Sequence, residues 1–428
     1  GWPLDAVVLV TGKAADDAAE HKSSAMHYWL LGIEFPETVV GLLKSGKVVF
    51  FTSAKKIEYL RQIEGPEVQL MVRSSGADLD QAQLAALAGV LCEGKEKATV
   101  GTLLKEAHVG AFAEAFVRAL PTLPGLQVVE CRTELAGLLA PKEEKELALA
   151  RKSAFSAQLM LQSLFFKKVE EIIDRDLRRT NRQVCDDLEK ELDNEELMES
   201  WKQKHGIDPS ELDFVFLSLQ SGNAFEIKPD AIPTDEQVPM QGTYLLSLGM
   251  KYSEYSSCIA RTLFVDPTPT QKASYPLALE VHDLVIKSLK PNAVFKDIYL
   301  AAKARVQEKR PELVDKFVKN VGFVTGLEFR DAQMMLSEKC DRKVLPGMVF
   351  CVSVGFNESS PPKRWAAWVA DTVIVPLQQG PCEVPTGACT SAPNDVMYEL
   401  DDTEPAAPAP PPPPAPREPS RASRPPAE

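Results

Sequence analysis

The chain has 428 residues, of which 44% are hydrophobic, and its formal net charge is −13. This length predicts a globular protein with a large core and two or three domains. The negative charge has the wrong sign for nucleic-acid phosphates, so we expect no strong direct nucleic-acid binding and favour basic proteins as partners. No stretch approaches about 18 consecutive apolar residues, so no membrane-spanning helix is predicted.

Residues 1–140 alternate between strand and helix patterns. Ala6–Val10 is predicted to be a buried strand, and residues 38–43 and 47–52 a hairpin that turns at Ser45-Gly46. This alternation predicts an α/β lobe, a sheet covered by helices. The remaining predicted strands are 68–72, 99–101 and 127–129, and the predicted helices are 55–62, 78–91 and 110–120.

A long amphipathic helix is predicted over residues 141–172. Pro141 suits a first helical turn, three glutamates follow at the positive end of the helix dipole, and apolar residues recur at helical spacing. We expect this helix to open a second domain over residues 141–396. The predicted strands of that domain are 214–219, 244–250, 258–265, 349–354 and 365–375, and its helices are 271–290 and 294–309.

Acidic residues are dense between positions 186 and 199. They form either a solvated helix face or a contact for a basic partner, and the sequence leaves both interpretations open. The candidate contact residues are Asp186, Asp187, Glu189, Glu191, Asp193, Glu195, Glu196 and Glu199.

The two ends of the chain and its cysteines and histidines support further expectations. The chain starts at Gly1 without an initiator methionine, so we expect a fragment of a longer protein. Residues 397–428 are predicted to be a disordered or polyproline II linker or tail, with a role as a ligand for an aromatic-lined domain as the alternative. The eight cysteines and five histidines are scattered without metal-site spacing, so we expect a reducing compartment, no metal and no cofactor.

Five short segments in the second half form one ordered pattern. They read Leu-Ser-Leu-Gly (246–249), Cys-Ile-Ala-Arg-Thr-Leu (258–263), Gly-Phe-Val-Thr-Gly-Leu-Glu (322–328), Pro-Gly-Met-Val-Phe-Cys-Val-Ser (346–353) and Val-Ala-Asp-Thr-Val (369–373). This pattern resembles the pita-bread fold of methionine aminopeptidase, aminopeptidase P, prolidase and creatinase. In active members each segment carries one metal ligand, in the order Asp, Asp, His, Glu, Glu. The matching positions here hold Ser247, Cys258, Phe323, Ser353 and Ala370.

The resemblance therefore implies a peptidase scaffold without a metal site. Two-metal hydrolysis needs bridging carboxylates, and of the five side chains only the Cys258 thiol is a metal donor. We expect a pseudopeptidase whose former site is an uncharged, packed interior. An alternative is a residual peptidase with Ser247, Ser353 or Cys258 as nucleophile, but no histidine lies in these segments to act as a base.

Four segments, one near the N-terminus and three further along the chain, point to one family within this fold. The segment Lys-Ser-Ser-Ala-Met-His-Tyr-Trp-Leu-Leu-Gly (22–32), the Gln-Ser-Gly-Asn segment (220–223), Gly322-Phe323 and Phe329-Arg330 resemble the N-terminal domain of the large subunit of FACT, a chromatin-reorganising histone chaperone. The similarity covers residues 1–395. It implies a two-lobed α/β architecture like that of aminopeptidase P and creatinase, with a mixed-sheet lobe at 1–140 and a pita-bread lobe at 141–396.

The FACT-like resemblance also implies a function. We expect a non-catalytic module in the nucleus, on chromosomes, that binds core histones and nucleosomes and acts in transcription elongation, DNA replication and nucleosome assembly. The smaller HMG-box subunit is expected to bind through domains outside this sequence, and the replication machinery is a further expected partner. As an alternative, the old substrate groove captures a free N-terminus or a histone tail, because binding and metal chemistry are separable.

Overall fold

The structure is a computed structural model that describes residues 4–13, 21–74, 79–222, 225–360 and 364–400. The first three residues, Asn223 and the proline-rich segment beyond residue 400 lie outside these ranges. No helix within them has the length and apolar character needed to cross a membrane. The elements of the first part are β1 (Ala6–Val10), α1 (Lys22–Leu31), β2 (Val39–Leu43), β3 (Val48–Ser53), α2 (Ala54–Leu60), β4 (Val68–Arg73), α3 (Gln81–Cys92), β5 (Ala98–Thr102), α4 (Ala111–Ala119), β6 (Leu126–Glu130) and α5 (Arg132–Leu139).

The first part builds a six-stranded mixed sheet with the strand order β4-β3-β2-β1-β5-β6. The predicted hairpin is confirmed, because β2 and β3 pair antiparallel with Val39 opposite Phe51. On one face of the sheet, side chains of α3 and α4 such as Leu87 and Phe116 complete an apolar core. On the other face, Met26 of α1 and Leu135 of α5 complete a second one. The predicted α/β lobe is therefore a sheet covered by helices.

The remaining elements form the second part of the chain. They are α6 (Glu144–Met160), α7 (Phe166–Asp174), α8 (Asn181–Glu189), α9 (Glu195–His205), β7 (Leu212–Ser221), β8 (Gly242–Tyr252), β9 (Tyr255–Ser256), β10 (Ile259–Val265), α10 (Pro269–Ser288), α11 (Phe295–Lys309), β11 (Asn320–Thr325), β12 (Met335–Ser337), β13 (Val349–Glu358), β14 (Trp365–Ile374), α12 (Pro393–Val396) and β15 (Met397–Tyr398).

The predicted long helix begins at Glu144, where Glu143 and Glu146 form a reciprocal capping box. It runs through α6, continues as one π-helical turn, Leu161–Phe165, and ends with α7. The predicted long helix is confirmed except at its start, because Pro141 lies before the helix and forms a β-bridge with Met348. The π turn is an unpredicted feature. The buried stripe of this helix packs into the large core beneath the second sheet.

The second sheet has nine strands, with the main order β12-β11-β13-β14-β10-β8-β7. Helices α6, α10 and α11 bury apolar side chains against one of its faces, among them Ala157, Tyr275 and Phe295. A smaller apolar cluster that includes Phe323 and Trp368 lies apart from that core. This smaller cluster contains three of the five positions that the sequence comparison matched to metal ligands, Cys258, Phe323 and Ala370.

Two further predicted boundaries are wrong. The acidic residues 186–199 do not lie on one helix: α8 ends at Glu189 and a short 3-10 turn follows, Lys190–Asp193. Asn194 then caps α9, its side chain accepting a hydrogen bond from the Leu197 amide at 3.2 Å, and asparagine is a preferred N-cap. The predicted tail also begins too early, because Met397–Tyr398 pairs parallel with β10.

Candidate functional site

The five predicted positions share one face of the second sheet. Ser247 pairs with Ala260, Ala260 with Ala370, and Ala370 with Ser353, so these residues form a row across β8, β10, β14 and β13. Directly opposed residues in a sheet point to the same face. Cys258 lies two residues before Ala260 and joins the same apolar cluster.

Phe323 reaches this face from β11. It pairs with Cys351, which lies two residues before Ser353. The glycine before it is required there: Gly322 has φ +139°, and a Cβ at that position would lie 2.3 Å from the Cys351 carbonyl oxygen. The pattern Gly322-Phe323 therefore places a phenyl ring against the row, within the cluster that also holds Cys258 and Ala370.

The interior formed by these positions is mostly apolar and almost fully buried. The five side chains are at most 6% exposed, and the cluster around them also contains Phe225, Leu245 and Trp368. Within the described ranges, no group of three or more His, Cys, Asp or Glu residues is placed to hold a metal ion. The predicted packed, uncharged interior fits this arrangement.

The two serines of the row take part in structural hydrogen bonds. Ser247 Oγ donates to the Pro229 carbonyl at 2.8 Å, and Trp368 Nε1 donates to Ser353 Oγ at 2.8 Å. Neither hydroxyl is hydrogen-bonded to a histidine, so neither has the adjacent base that a serine nucleophile needs. The geometry favours a structural role for both.

Cys258 is equally unsuited to nucleophilic chemistry. Burial raises the pKa of its thiol well above the ordinary value, and the neighbouring Cys351 thiol raises it further. The thiolate is the reactive form of cysteine, so this environment keeps Cys258 protonated and inert at neutral pH.

Two threonines join the central strands of the site. Thr262 Oγ1 donates to the Trp368 carbonyl at 2.7 Å and accepts from the Trp368 amide at 2.8 Å. Thr372 Oγ1 donates to the Cys258 carbonyl at 2.9 Å and accepts from the Cys258 amide at 2.8 Å. These hydroxyls replace ladder hydrogen bonds on either side of the Ala260–Ala370 pair. This structural role accounts for the threonine in each of the motifs Arg261-Thr262 and Asp371-Thr372.

The arginine and aspartate of the same motifs form a buried ion pair. Arg261 Nη2 lies 2.8 Å from Asp371 Oδ1, and both side chains are at most 5% exposed. Arg261 also donates to the Ala370 and Cys389 carbonyls at 2.8 and 3.1 Å, while Thr386 donates to Asp371 at 2.7 Å. This network fixes the segment after β14 against β10 and β14.

Lys22 connects α1 to the second sheet, a contact that the sequence did not predict. Its buried Nζ lies within ion-pair distance of Glu328 and 2.8 Å from Asp331, in the segment that follows β11. Lys142 lies nearby, and burial lowers its pKa to about 8. Lys22 begins the segment that resembles the FACT family, which was the only sequence signal for this contact.

The predicted acidic residues form a largely exposed surface along α8, the 3-10 turn and α9. The apolar sides of the two helices bury Val184, Leu188, Met198 and Trp201. Among the eight carboxylates, only Asp187 forms an ion pair with another described residue: it lies 3.5 Å from Lys190 and 3.8 Å from Lys168. The other seven therefore remain available to an external cation.

We expect no peptidase activity from this site. Incubation with X-Pro peptides and peptides with an N-terminal methionine, in the presence of manganese or cobalt, should give no turnover above buffer, because the row offers neither bridging carboxylates nor an activated nucleophile. An active X-Pro aminopeptidase serves as the positive control. Sustained hydrolysis that is lost in a Ser247→Ala, Cys258→Ala double variant would contradict this expectation.

Known families match both parts of the chain. Residues 156–376 match metallopeptidase family M24, and residues 3–132 match the N-terminal lobe domain of FACT complex subunit SPT16. FACT complex subunit SPT16 from Zea mays is 31% identical over 421 residues, which is 94% of this chain and 39% of that protein. The Arabidopsis thaliana protein of the same name is 30% identical over 421 residues, covering 94% and 38%. The chain thus spans about two fifths of the length of these relatives.

Solved structures agree with the sequence matches. The N-terminal domain of SPT16 from Eremothecium gossypii has a TM-score of 0.83 at 28% identity, covering 93% of this chain and 94% of that one. The chickpea domain has a TM-score of 0.82 at 26% identity, covering 92% and 93%. An X-Pro aminopeptidase from Thermotoga maritima, at 16% identity and a TM-score of 0.64 over 93% and 98%, shares the fold. The chain therefore belongs to metallopeptidase family M24, and within that fold it is a homologue of the N-terminal domain of FACT complex subunit SPT16.

Proposed function

We propose that this chain is a non-catalytic module of a FACT complex that binds core histones and nucleosomes. The proposal places it in the nucleus, on chromosomes, in transcription elongation, DNA replication and nucleosome assembly. It further assigns residues 1–140 to one lobe and the described chain from residue 141 onward, including Met397–Tyr398, to a second, and contacts with the smaller HMG-box subunit to parts of the protein outside this sequence. Support comes from the similarity to SPT16 and from the exposed acidic surface of α8 and α9.

The acidic surface carries the proposal physically. Histones are rich in lysine and arginine, and carboxylates without a cationic partner in their own chain attract such proteins and steer their approach. The seven carboxylates that form no ion pair with another described residue lie within one short stretch of chain. Contacts of this kind weaken as salt is added, because exposed charges are screened beyond about 10 Å at 0.1 M ionic strength.

We expect neutralisation of this surface to weaken histone binding by about tenfold, since each exposed ion pair contributes roughly 0.2 to 1 kcal/mol. The variant replaces Glu189, Glu195, Glu196 and Glu199 by glutamine. Fluorescence anisotropy with labelled core histones, repeated across salt concentrations, should show the loss and a shallower salt dependence.

A matched variant separates local from overall charge. It replaces four exposed glutamates of the first part, Glu64, Glu67, Glu96 and Glu114, by glutamine, with the same change in net charge. We expect its affinity for core histones to stay within about twofold of the parent. An equal loss in both variants would contradict the assignment of the surface, and no retention of core histones at moderate salt would overturn the function.

A further inference from the structure

A groove of about 530 Å³ lies beside the former ligand positions Phe323 and Ser353. Phe317, Phe323 and Met335 contribute apolar side chains to its lining. Clefts that hold a ligand of a few residues have volumes of roughly 300 to 1,000 Å³ and are mostly apolar with a few polar groups. The groove therefore has the size to take a short peptide segment, and its lining is more polar than that of a typical small-molecule cleft.

The charges at this groove are opposite in sign to the charge of the whole chain. Four cationic side chains line it: Lys228, Lys316, Lys319 and Arg330. Glu226 is the one carboxylate among the described residues of the lining. In a chain with a formal net charge of −13, this is a local excess of positive charge.

Neighbouring carboxylates neutralise the groove only in part. Asp230 is shared by two cations, with Lys228 Nζ at 3.3 Å and Arg330 Nη2 at 3.2 Å. Glu358 lies 2.8 Å from Lys316, and Lys319 forms no ion pair with another described residue. With Glu226 of the lining, three carboxylates stand against four cations, so one net positive charge remains, and Lys319 is the cation without an ion-pair partner among the described residues. A cleft with low-dielectric walls and charge of one sign concentrates ligands of the opposite sign.

We propose that this groove binds an acidic peptide segment that carries at least one large apolar side chain. The apolar side chain packs near Phe323 and Phe317, and the flanking carboxylates meet Lys319 and Lys228. A histone tail has the opposite charge to this ligand, because it is rich in lysine and arginine. The cations of the groove therefore repel it. The inference goes beyond the proposed function and does not depend on it.

A nucleic acid is the other anionic macromolecule to weigh. Its long, uniform negative charge extends beyond the groove over a protein of net charge −13, which repels it. A short acidic segment senses mainly the groove, because exposed charges are screened beyond about 8 Å at physiological salt. The balance of local and overall charge therefore favours the peptide.

The test is a fluorescence anisotropy titration of the whole chain with three labelled probes. One is a short peptide of aspartate and glutamate residues around a single phenylalanine; the second has lysine in place of every acidic residue; the third is a single-stranded oligonucleotide of equal negative charge. We expect saturable binding of the acidic peptide alone. Lys319→Glu should weaken it roughly five- to tenfold, since an attraction becomes a repulsion at a site with no ion pair to lose.

Two variants complete the design. Lys47→Glu reverses an exposed charge at the hairpin turn of the first sheet and should leave the peptide affinity unchanged. Phe323→Ala should weaken binding of the acidic peptide. If this variant of a buried residue fails to fold, Lys319→Glu still tests the proposal. Equal affinity for the lysine peptide or the oligonucleotide, or equal effects of Lys319→Glu and Lys47→Glu, would overturn the proposal.

Core-histone binding measured on the same preparations separates the two proposals. We expect Lys319→Glu to leave it unchanged, and the four-glutamine variant of α8 and α9 to leave acidic-peptide binding unchanged. Absence of core-histone binding by the parent chain would refute only the proposed function. Absence of acidic-peptide binding by the parent chain would refute only the groove.

Discussion

We expect the Arg261→Met variant to lose about 3 to 5 kcal/mol of the free energy of unfolding, because it leaves the Asp371 carboxylate charged and buried without its guanidinium partner. The remaining neighbours, Thr386 at 2.7 Å and His282 at 3.4 Å, offer one hydroxyl and a ring whose pKa is lowered by burial. Chemical denaturation followed by far-UV circular dichroism measures the loss.

Two comparisons identify the cause of that loss. Arg182→Met removes an ion pair of the same 2.8 Å length with Asp235, but both of those side chains are exposed, so we expect a change within about 1 kcal/mol. In the double variant Arg261→Met, Asp371→Leu, neither partner of this pair is left as a buried charge, and its loss should be smaller than the sum of the two single losses. An additive double variant would show that the pair acts through packing alone.

Acidification from pH 7 to pH 4 should lower the free energy of unfolding by about 3 kcal/mol through His27 alone. Burial is the main cause that lowers the pKa of His27, to about 3, and Lys56 adds to it. Its Nδ1 accepts a hydrogen bond from the Phe35 amide at 3.4 Å, which protonation would remove. The unfolded chain binds a proton below pH 6.5, whereas the native chain resists it down to about pH 3. Stability from this group is therefore present at neutral pH and lost as the pH falls.

His27→Leu and His27→Gln should both flatten this part of the pH profile, whatever they do to stability at pH 7. The measurement is urea unfolding at half-unit intervals between pH 4 and pH 7, with the difference from the parent as the readout. His205→Gln, at an exposed histidine, should leave the profile unchanged. An unaltered slope in both His27 variants would show that acid sensitivity arises elsewhere.

Local patterns predicted much of the fold because they are set by neighbouring residues. The apolar run at Ala6–Val10 and the turn at Ser45-Gly46 specify β1 and the first hairpin without reference to distant parts of the chain. The order of the motifs suggested the positions from Ser247 to Ser353, and the register of the sheet places them side by side. The acidic stretch was misread as one helix, because its composition is uniformly helical and only Asn194 signals a new cap.

The unpredicted features arise between residues that are distant in the chain. The cations of the groove come from positions 228, 316, 319 and 330, and none of these segments has an unusual composition alone. In the sequence, Lys22 is one member of a family motif. Its partners lie 306 and 309 residues further along the chain. Such contacts depend on topology, which one sequence does not reveal.

The Lys22 contact has a consequence for how the molecule unfolds. Its ammonium is fully buried and its partners, Glu328 and Asp331, lie in the segment that joins β11 to β12 of the other sheet. Melting of the first sheet alone would remove the ammonium from the two carboxylates, and melting of the second would remove the carboxylates from the ammonium. Partial unfolding of either sheet therefore loses this ion pair, so the Lys22 contact favours unfolding of the two sheets together.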